Sequence, residues 1–143
     1  MNQNSNDAHI LISMTYASRA HPDVSAKVFN EILQQAQNNN AANGITGMLI
    51  FNKDYFLQTI EGPRAQINRL LYGLISDQRH YDLQLLETRE IKHRGWAKWS
   101  MNYASPTEKN AAVYLKYSTT VNFNPYLLNA ESANELMREL SSL

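Results

Sequence analysis

The order in which two hydrophobic periods follow each other along this chain restricts its fold more than any single motif does. From His9 the residues alternate, with Ile10, Ile12, Met14 and Tyr16 on one side and His9, Ser13 and Thr15 on the other, the period of a strand. "RAHPDVSAK" then turns the chain. Val28, Phe29, Ile32, Leu33 and Ala36 recur at helical spacing and predict a helix from about Ser25 to Asn40, ended by Asn43-Gly44. "TGMLIF" is apolar on both faces, as expected for a central strand covered on both sides. Asn52-Lys53-Asp54 predicts a hairpin turn, after which Tyr55 to Glu61 forms a third strand. Gly62-Pro63 breaks that strand, with proline where a first helical residue accepts it, and Ile67, Leu70, Leu71 and Leu74 mark the buried stripe of a second helix closed by "SDQRH". "YDLQLLETREI" reads as a fourth strand and "WAKWSMNYA" as a short fifth, with Trp99, Met101 and Tyr103 sharing a face. The order β-α-β-β-α-β, then β, predicts an α+β, ferredoxin-like sheet with two helices on one face, because split β-α-β units close with right-handed crossovers.

The remainder reads as accessory. Residues 1–8 are polar and expected to be disordered, 9–103 form the domain proper, and 104–143 a two-helix extension. Its helices are "TEKNAAVYLKYS" and "AESANELMRELSSL", the second capped by Asn129 and carrying Leu136, Met137 and Leu140 on one side. They are expected to cover the open face of the sheet or to mediate self-association. With 143 residues, 43% of them hydrophobic, the chain has material for one core. Thirteen basic residues balance thirteen acidic ones and no stretch gathers them into a phosphate-binding stripe, which speaks against nucleic acid as a partner. The absence of cysteine excludes disulfides, thiolate metal sites and a thiol nucleophile. No apolar run approaches the roughly 20 residues of a membrane helix, and the polar start "MNQNSNDAH" is unlike a signal peptide, so a cytoplasmic protein with no membrane partner is expected. Gly44 and Gly47 fall short of both the dinucleotide and the P-loop patterns, and His9, His21, His80 and His93 lack metal-ligand spacing.

Several groups able to form directed hydrogen bonds sit where the patterning predicts burial. Tyr16 continues the apolar register of the first strand, Gln58 lies between Phe56 and Ile60 in "YFLQTIEG", and Asn39 and Asn40 extend the buried stripe of the first helix past Ala36. Singly, each has an ordinary explanation: a phenol reaching solvent, a helix cap, a misjudged face. Together they describe one cleft between the two helices, suited to a flat, mostly apolar ligand with a polar edge. Flavin is such a ligand: its ring system slides between aliphatic side chains such as Ile32 and Leu74, and its pyrimidine edge alternates acceptors and a donor that carboxamides match. Arg79 adds a charge-assisted bond to the remaining carbonyl.

"TYAS", "NNNAANGITGMLIF", "YFLQTIEG", "SDQRHYDLQLL" and "WAKWSM" occur in the order and approximate spacing of the BLUF domain, the blue-light sensor that uses FAD, and the chain resembles that family over about residues 9 to 103. The tail and the "KYSTTVNFNP" connection resemble those of short, stand-alone BLUF proteins of bacteria and cyanobacteria. The resemblance implies that Tyr16 is the redox-active phenol and Gln58 the switching amide. It implies that Asn39 and Asn40 hold the flavin's pyrimidine edge, that Arg79 and His80 lie beside its second carbonyl and underside, and that Ile32, Phe56 and Leu74 belong to the cofactor-binding set. Trp99 and Met101 match positions of signal output, and Ser18 matches the small polar residue after the tyrosine. One departure is Gly73, where some members carry a basic side chain near the phosphate; FAD is the implied cofactor, with FMN or riboflavin as alternatives. The implied partners are further copies of the chain and a separate response-regulator-like protein. The implied activity is sensory rather than enzymatic.

Two competing readings share the topology. An acylphosphatase-type hydrolase would use Arg79 with Asn40, and an RNA-binding or interaction module would display Tyr55, Trp99 and Tyr103 on the sheet. The neutral charge weighs against RNA. Colour separates all of these, because only the flavin reading makes the protein yellow.

Overall fold

The computed structural model describes residues 9–96, 102–104 and 111–141. Strand β1 (Leu11–Ala20), helix α1 (Ala26–Ala42), strands β2 (Thr46–Phe51) and β3 (Tyr55–Pro63), helix α2 (Arg64–Ser76) and strands β4 (His80–Ile91) and β5 (Asn102–Ala104) follow in that order. Helix α3 (Ala111–Tyr117), a 3-10 turn at Pro125–Leu127 and helix α4 (Ala130–Ser141) complete the chain. The sheet order is β4-β1-β3-β2-β5, with β5 parallel to β2 and the other pairs antiparallel. This is the ferredoxin-like α+β arrangement that the alternation of periods predicts.

Local chemistry accounts for most of the boundaries. Ser25 caps α1, its hydroxyl accepting from the Val28 amide at 3.3 Å, and Gly44 takes the turn after the helix at φ 68°. Asn52 Oδ1 accepts from the amides of Asp54 and Tyr55, both at 2.8 Å, and closes the β2–β3 hairpin. Gly47 allows β2 to lie against β3, since a Cβ there would stand 2.2 Å from the Thr59 carbonyl oxygen. Asn129 caps α4 by accepting from the Ser132 amide at 2.8 Å.

β1 runs past the turn that the sequence predicts near Arg19. Its last residues are held from both sides, Arg19 opposite Tyr55 of β3 and Ala20 opposite His80 of β4. The ladder, not the local pattern, sets that end. Pro63 likewise stays in β3 and caps α2 instead of opening it, paired with Leu11 at the far end of the β1 ladder.

Both faces of the sheet are covered. On one, Met14, Leu49 and Ile60 pack with Phe29 and Leu33 of α1 and Ile67 of α2. On the other, Met48, Ile50 and Leu57 meet Tyr114, Phe123, Leu136, Met137 and Leu140 of the C-terminal segment, together with Trp96. The two-faced apolar character of "TGMLIF" follows from this sandwich. Among the described residues no helix is long and apolar enough to cross a membrane, and no cluster of histidine and carboxylate side chains has the makings of a metal site.

Candidate functional site

The antiparallel register of β1 and β3 sets Tyr16 directly opposite Gln58, both on the face that carries the two helices. Cross-strand neighbours of this kind are close enough for their side chains to meet. The Tyr16 hydroxyl donates to Gln58 Oε1, answering the sequence's question of what satisfies a carboxamide on an apolar face. Both residues are buried, at 3% and 5% exposure. Burial, and secondarily the negative charge of Asp77, holds the phenol well above the ordinary phenol range, so at neutral pH its proton stays in the bond to Gln58.

Tyr16 and Gln58 border a cavity of about 400 Å³ between α1 and α2. Ile32 and Ala36 line it from α1, Leu70 and Leu74 from α2, and Leu49 and Phe56 from the sheet beneath. Apolar slabs therefore face each other across it. Asn39 and Asn40 bring carboxamides to it from the end of α1; Asn40 is 1% exposed, while Asn39 is tied to the α1 C-terminus through Asn43, whose Nδ2 donates to the Asn39 carbonyl at 2.7 Å and to its Oδ1 at 3.1 Å.

Arg79 lines the same cavity, but its guanidinium is engaged on several sides. Its Nε and Nη2 donate to the Asp77 carboxylate at 2.6–3.1 Å and its Nη1 to Gln35 Oε1 at 3.0 Å. These charge-assisted bonds push the Asp77 carboxyl below its usual range. They also occupy the guanidinium edge that a phosphate-cradling hydrolase would need. His80 donates from Nε2 to the Leu74 carbonyl at 2.5 Å, an acceptor with no proton to give, and its Nδ1 shares a 2.7 Å hydrogen bond with the Ser18 hydroxyl. Its ring stands edge-on to Tyr16 and to Phe56, with centroids 6.2 and 6.0 Å away.

Of the residues singled out in the sequence, Tyr16, Ile32, Asn39, Asn40, Phe56, Gln58, Leu74, Arg79 and His80 border one cavity. Ser18 lies behind His80 instead and orients its ring. Trp99 and Met101 lie outside the described residues. Tyr55 packs against Phe123 and Tyr126 of the C-terminal segment, with ring centroids 6.4 and 5.9 Å away, and is no open stacking platform. Sequence reasoning missed Gln35, Ala36, Asn43, Ile45 and Leu49 as cavity residues, and on the α2 side Gln66, Arg69, Leu70 and Asp77; counting back and forward from Leu74 at helical spacing finds all but one of these last four. It also missed Glu61, a buried carboxylate on the opposite face of β3, which no apolar pattern announces.

The profile of the family described as "Sensors of blue-light using FAD" matches residues 11–102. The chain belongs to the BLUF family. The BLUF protein BlrB, in its dark-state structure, superposes with a TM-score of 0.79 at 29% identity, covering 94% of this chain and 98% of that one. BlsA in its photo-activated state gives 0.81 at 30% identity, covering 91% and 94%. In sequence, the photoactivated adenylate cyclase subunit beta of Euglena longa is 31% identical over 105 residues, and the blue light- and temperature-regulated antirepressor BluF of Escherichia coli K12 is 31% identical over 74. The chain spans 12% and 18% of the length of those two relatives.

BLUF domains bind flavin, and the cavity suits it by its own chemistry. Facing aliphatic side chains fit a planar ring, and a group of carboxamides fits an edge that alternates donor and acceptor.

Proposed function

We propose that this chain is a blue-light receptor whose switch is the Tyr16–Gln58 pair. The observation that supports it is the hydrogen bond from a buried phenol to a carboxamide, both at the edge of a cavity fit for a flat ligand. Ile32, Leu70 and Leu74 would hold a flavin ring, with Asn39, Asn40 and Gln58 along its polar edge. Bound there, flavin supplies on absorbing blue light an acceptor strong enough to take an electron from a phenol.

The chain does the rest. Tyr16 gives up an electron and releases its proton along the bond it already makes to Gln58 Oε1. Gln58 relays a proton and, once the charges recombine, remains rotated or tautomerised. In a rotated amide the –NH2 end takes the place of the carbonyl, so the phenol oxygen accepts where it formerly donated. The same rotation changes what Gln58 offers to the cavity, which shifts the absorption of a bound dye slightly to the red without a covalent bond. The changed amide then alters affinity at an interface, either with further copies of the chain or with a separate response-regulator-like protein.

Gln58→Leu tests the reading. The variant is expected to bind flavin and to show no lasting red shift after illumination, whereas a normal photocycle would remove Gln58 from the mechanism. Light scattering on the wild-type sample, dark and lit, is expected to show more than one copy per particle. A strictly monomeric profile in both states would confine the output to a foreign partner.

A further inference from the structure

Three carboxamides, Asn39, Asn40 and Asn43, line the cavity from the last turn of α1 and the residue that caps it, so the way the helix ends decides where they point. Its final carbonyls are met by nearby backbone: the Asn43 amide donates to those of Asn39 and Asn40 at 3.1 and 3.2 Å, and the Ile45 amide to that of Asn40 at 2.9 Å. Asn43 Nδ2 also bonds Asn39, so a displaced turn carries both side chains with it. Gly44 then turns the chain at φ 68° and leaves its own carbonyl outside the helix. The last turn of α1 has no basic side chain to meet the negative end of the helix.

Arg94 supplies one from 50 residues away, its Nη2 donating to the Gly44 carbonyl at 2.6 Å. It stands half-buried in the loop leaving β4. Its Nη1 donates to the Thr46 hydroxyl at 3.0 Å and to the Glu61 carbonyl at 3.1 Å. A guanidinium has donors only, so the Thr46 hydroxyl accepts from Arg94 and donates its own proton to Glu61 Oε1 at 2.9 Å. One hydroxyl thereby joins the buried carboxylate to the guanidinium, and the end of α1, the start of β2, the end of β3 and the loop meet on a single rigid fork.

We propose that Arg94 is a positioning residue for the cofactor: by fixing the turn at Gly44 it aims the three carboxamides at the polar edge of a flavin, and it couples that edge to the loop leaving β4. The proposal rests on the flavin reading of the cavity and assigns the aim of the cavity's polar end to a side chain that does not line it. Coupling of this kind is reciprocal. A flavin that holds the carboxamides still also holds the turn, the Arg94 fork and the loop, and a loop that lets go of Gly44 loosens the flavin.

Flavin-free protein titrated with FMN, followed by quenching of flavin fluorescence, and infrared spectra of the bound FMN carbonyls test this. Arg94→Met keeps an apolar stem and removes the donors; it is expected to weaken FMN about 10-fold. Its flavin carbonyl stretches should move to higher frequency, as the bonds from the carboxamides lengthen, which a loss of fold stability alone would not cause. Arg94→Lys keeps the charge without the fork and should fall between the two. In wild type, FMN is expected to slow hydrogen exchange at the Gly95 and Trp96 amides about 10-fold more than at the amides of α4. That comparison needs no variant and decides the matter even if Arg94→Met fails to fold. Wild-type FMN affinity and carbonyl frequencies in Arg94→Met, or exchange slowed equally in the loop and in α4, would overturn the assignment. If wild type binds no FMN at all, it is the flavin reading of the cavity that falls.

Discussion

The unusual residue is Tyr16, a phenol inside the core whose proton is already committed to an acceptor. Its ionisation is disfavoured by burial first and by Asp77 second, so the folded state holds the proton to higher pH than the unfolded chain does. A raised phenol pKa adds stability that is fully present below the unfolded value of about 10 and is lost as pH rises beyond it. Tyr114, pushed up to about 12 by burial, and Tyr117, pushed up to about 12 chiefly by its bond to the Glu139 carboxylate, act in the same direction. For the fully buried Tyr16 this is a loss of about 1.4 kcal/mol per pH unit in that window. Denaturant unfolding of wild type and Tyr16→Phe between about pH 10 and pH 12 should therefore diverge, the variant losing one phenol's share less. Parallel curves would mean that residue 16 ionises freely in the fold. Ser18 and His80 show the same economy in another form: two polar groups satisfy each other behind the cavity, and the Leu74 carbonyl takes the bond from the other ring nitrogen.

Among the elements, β3 joins the two sides of the molecule. Gln58 faces the helices, while Glu61, three residues on, faces the C-terminal segment at 3% exposure. Its carboxylate accepts from the Thr46 hydroxyl at 2.9 Å, from the Gly95 amide at 2.9 Å and from the Trp96 amide. The loop leaving β4 is thereby bonded to β3. From there the Trp96 ring lies under the Arg138 guanidinium of α4, 3.8 Å from its centroid, and Arg138 Nη1 donates to the Gly95 carbonyl at 2.8 Å. A displacement of β3 at Gln58 thus has a bonded route to the outer surface of the molecule. Glu61→Gln replaces one acceptor oxygen with a donor facing donors, and should cost about 1–3 kcal/mol. The backbone amides of Gly95 and Trp96 should then exchange with solvent faster by about tenfold or more. Unchanged exchange at those two amides would show that the loop is held by something other than Glu61.

For the molecule as a whole, one sheet serves two cores. The helical layer carries the cavity, and the C-terminal layer closes the other face with Leu136 and Met137, at 1% and 0% exposure. Leu136→Ala should cost about 2–5 kcal/mol through lost burial and the space left behind. Because β2 and β3 belong to both layers, tryptophan fluorescence and the release of bound flavin should report a single unfolding transition shifted together. Two separated transitions would show layers that fold independently.

The sequence by itself determined the succession of strands and helices, the ferredoxin-like class and the polar outliers that meet at the cavity, because period and turn chemistry are local and the helical stripe carries such outliers with it. The end of β1 was not legible at Arg19 and Ala20, since a strand lasts as long as its neighbours offer hydrogen bonds, and those neighbours lie 36 and 60 residues further along the chain, at Tyr55 and His80. The pairing of Tyr16 with Gln58, the retreat of Ser18 behind His80 and the bond from Arg79 to Gln35 were decided only by the tertiary structure. Register and packing bring together polar atoms distant in the chain, and only there does each acquire the partners that desolvation obliges it to find.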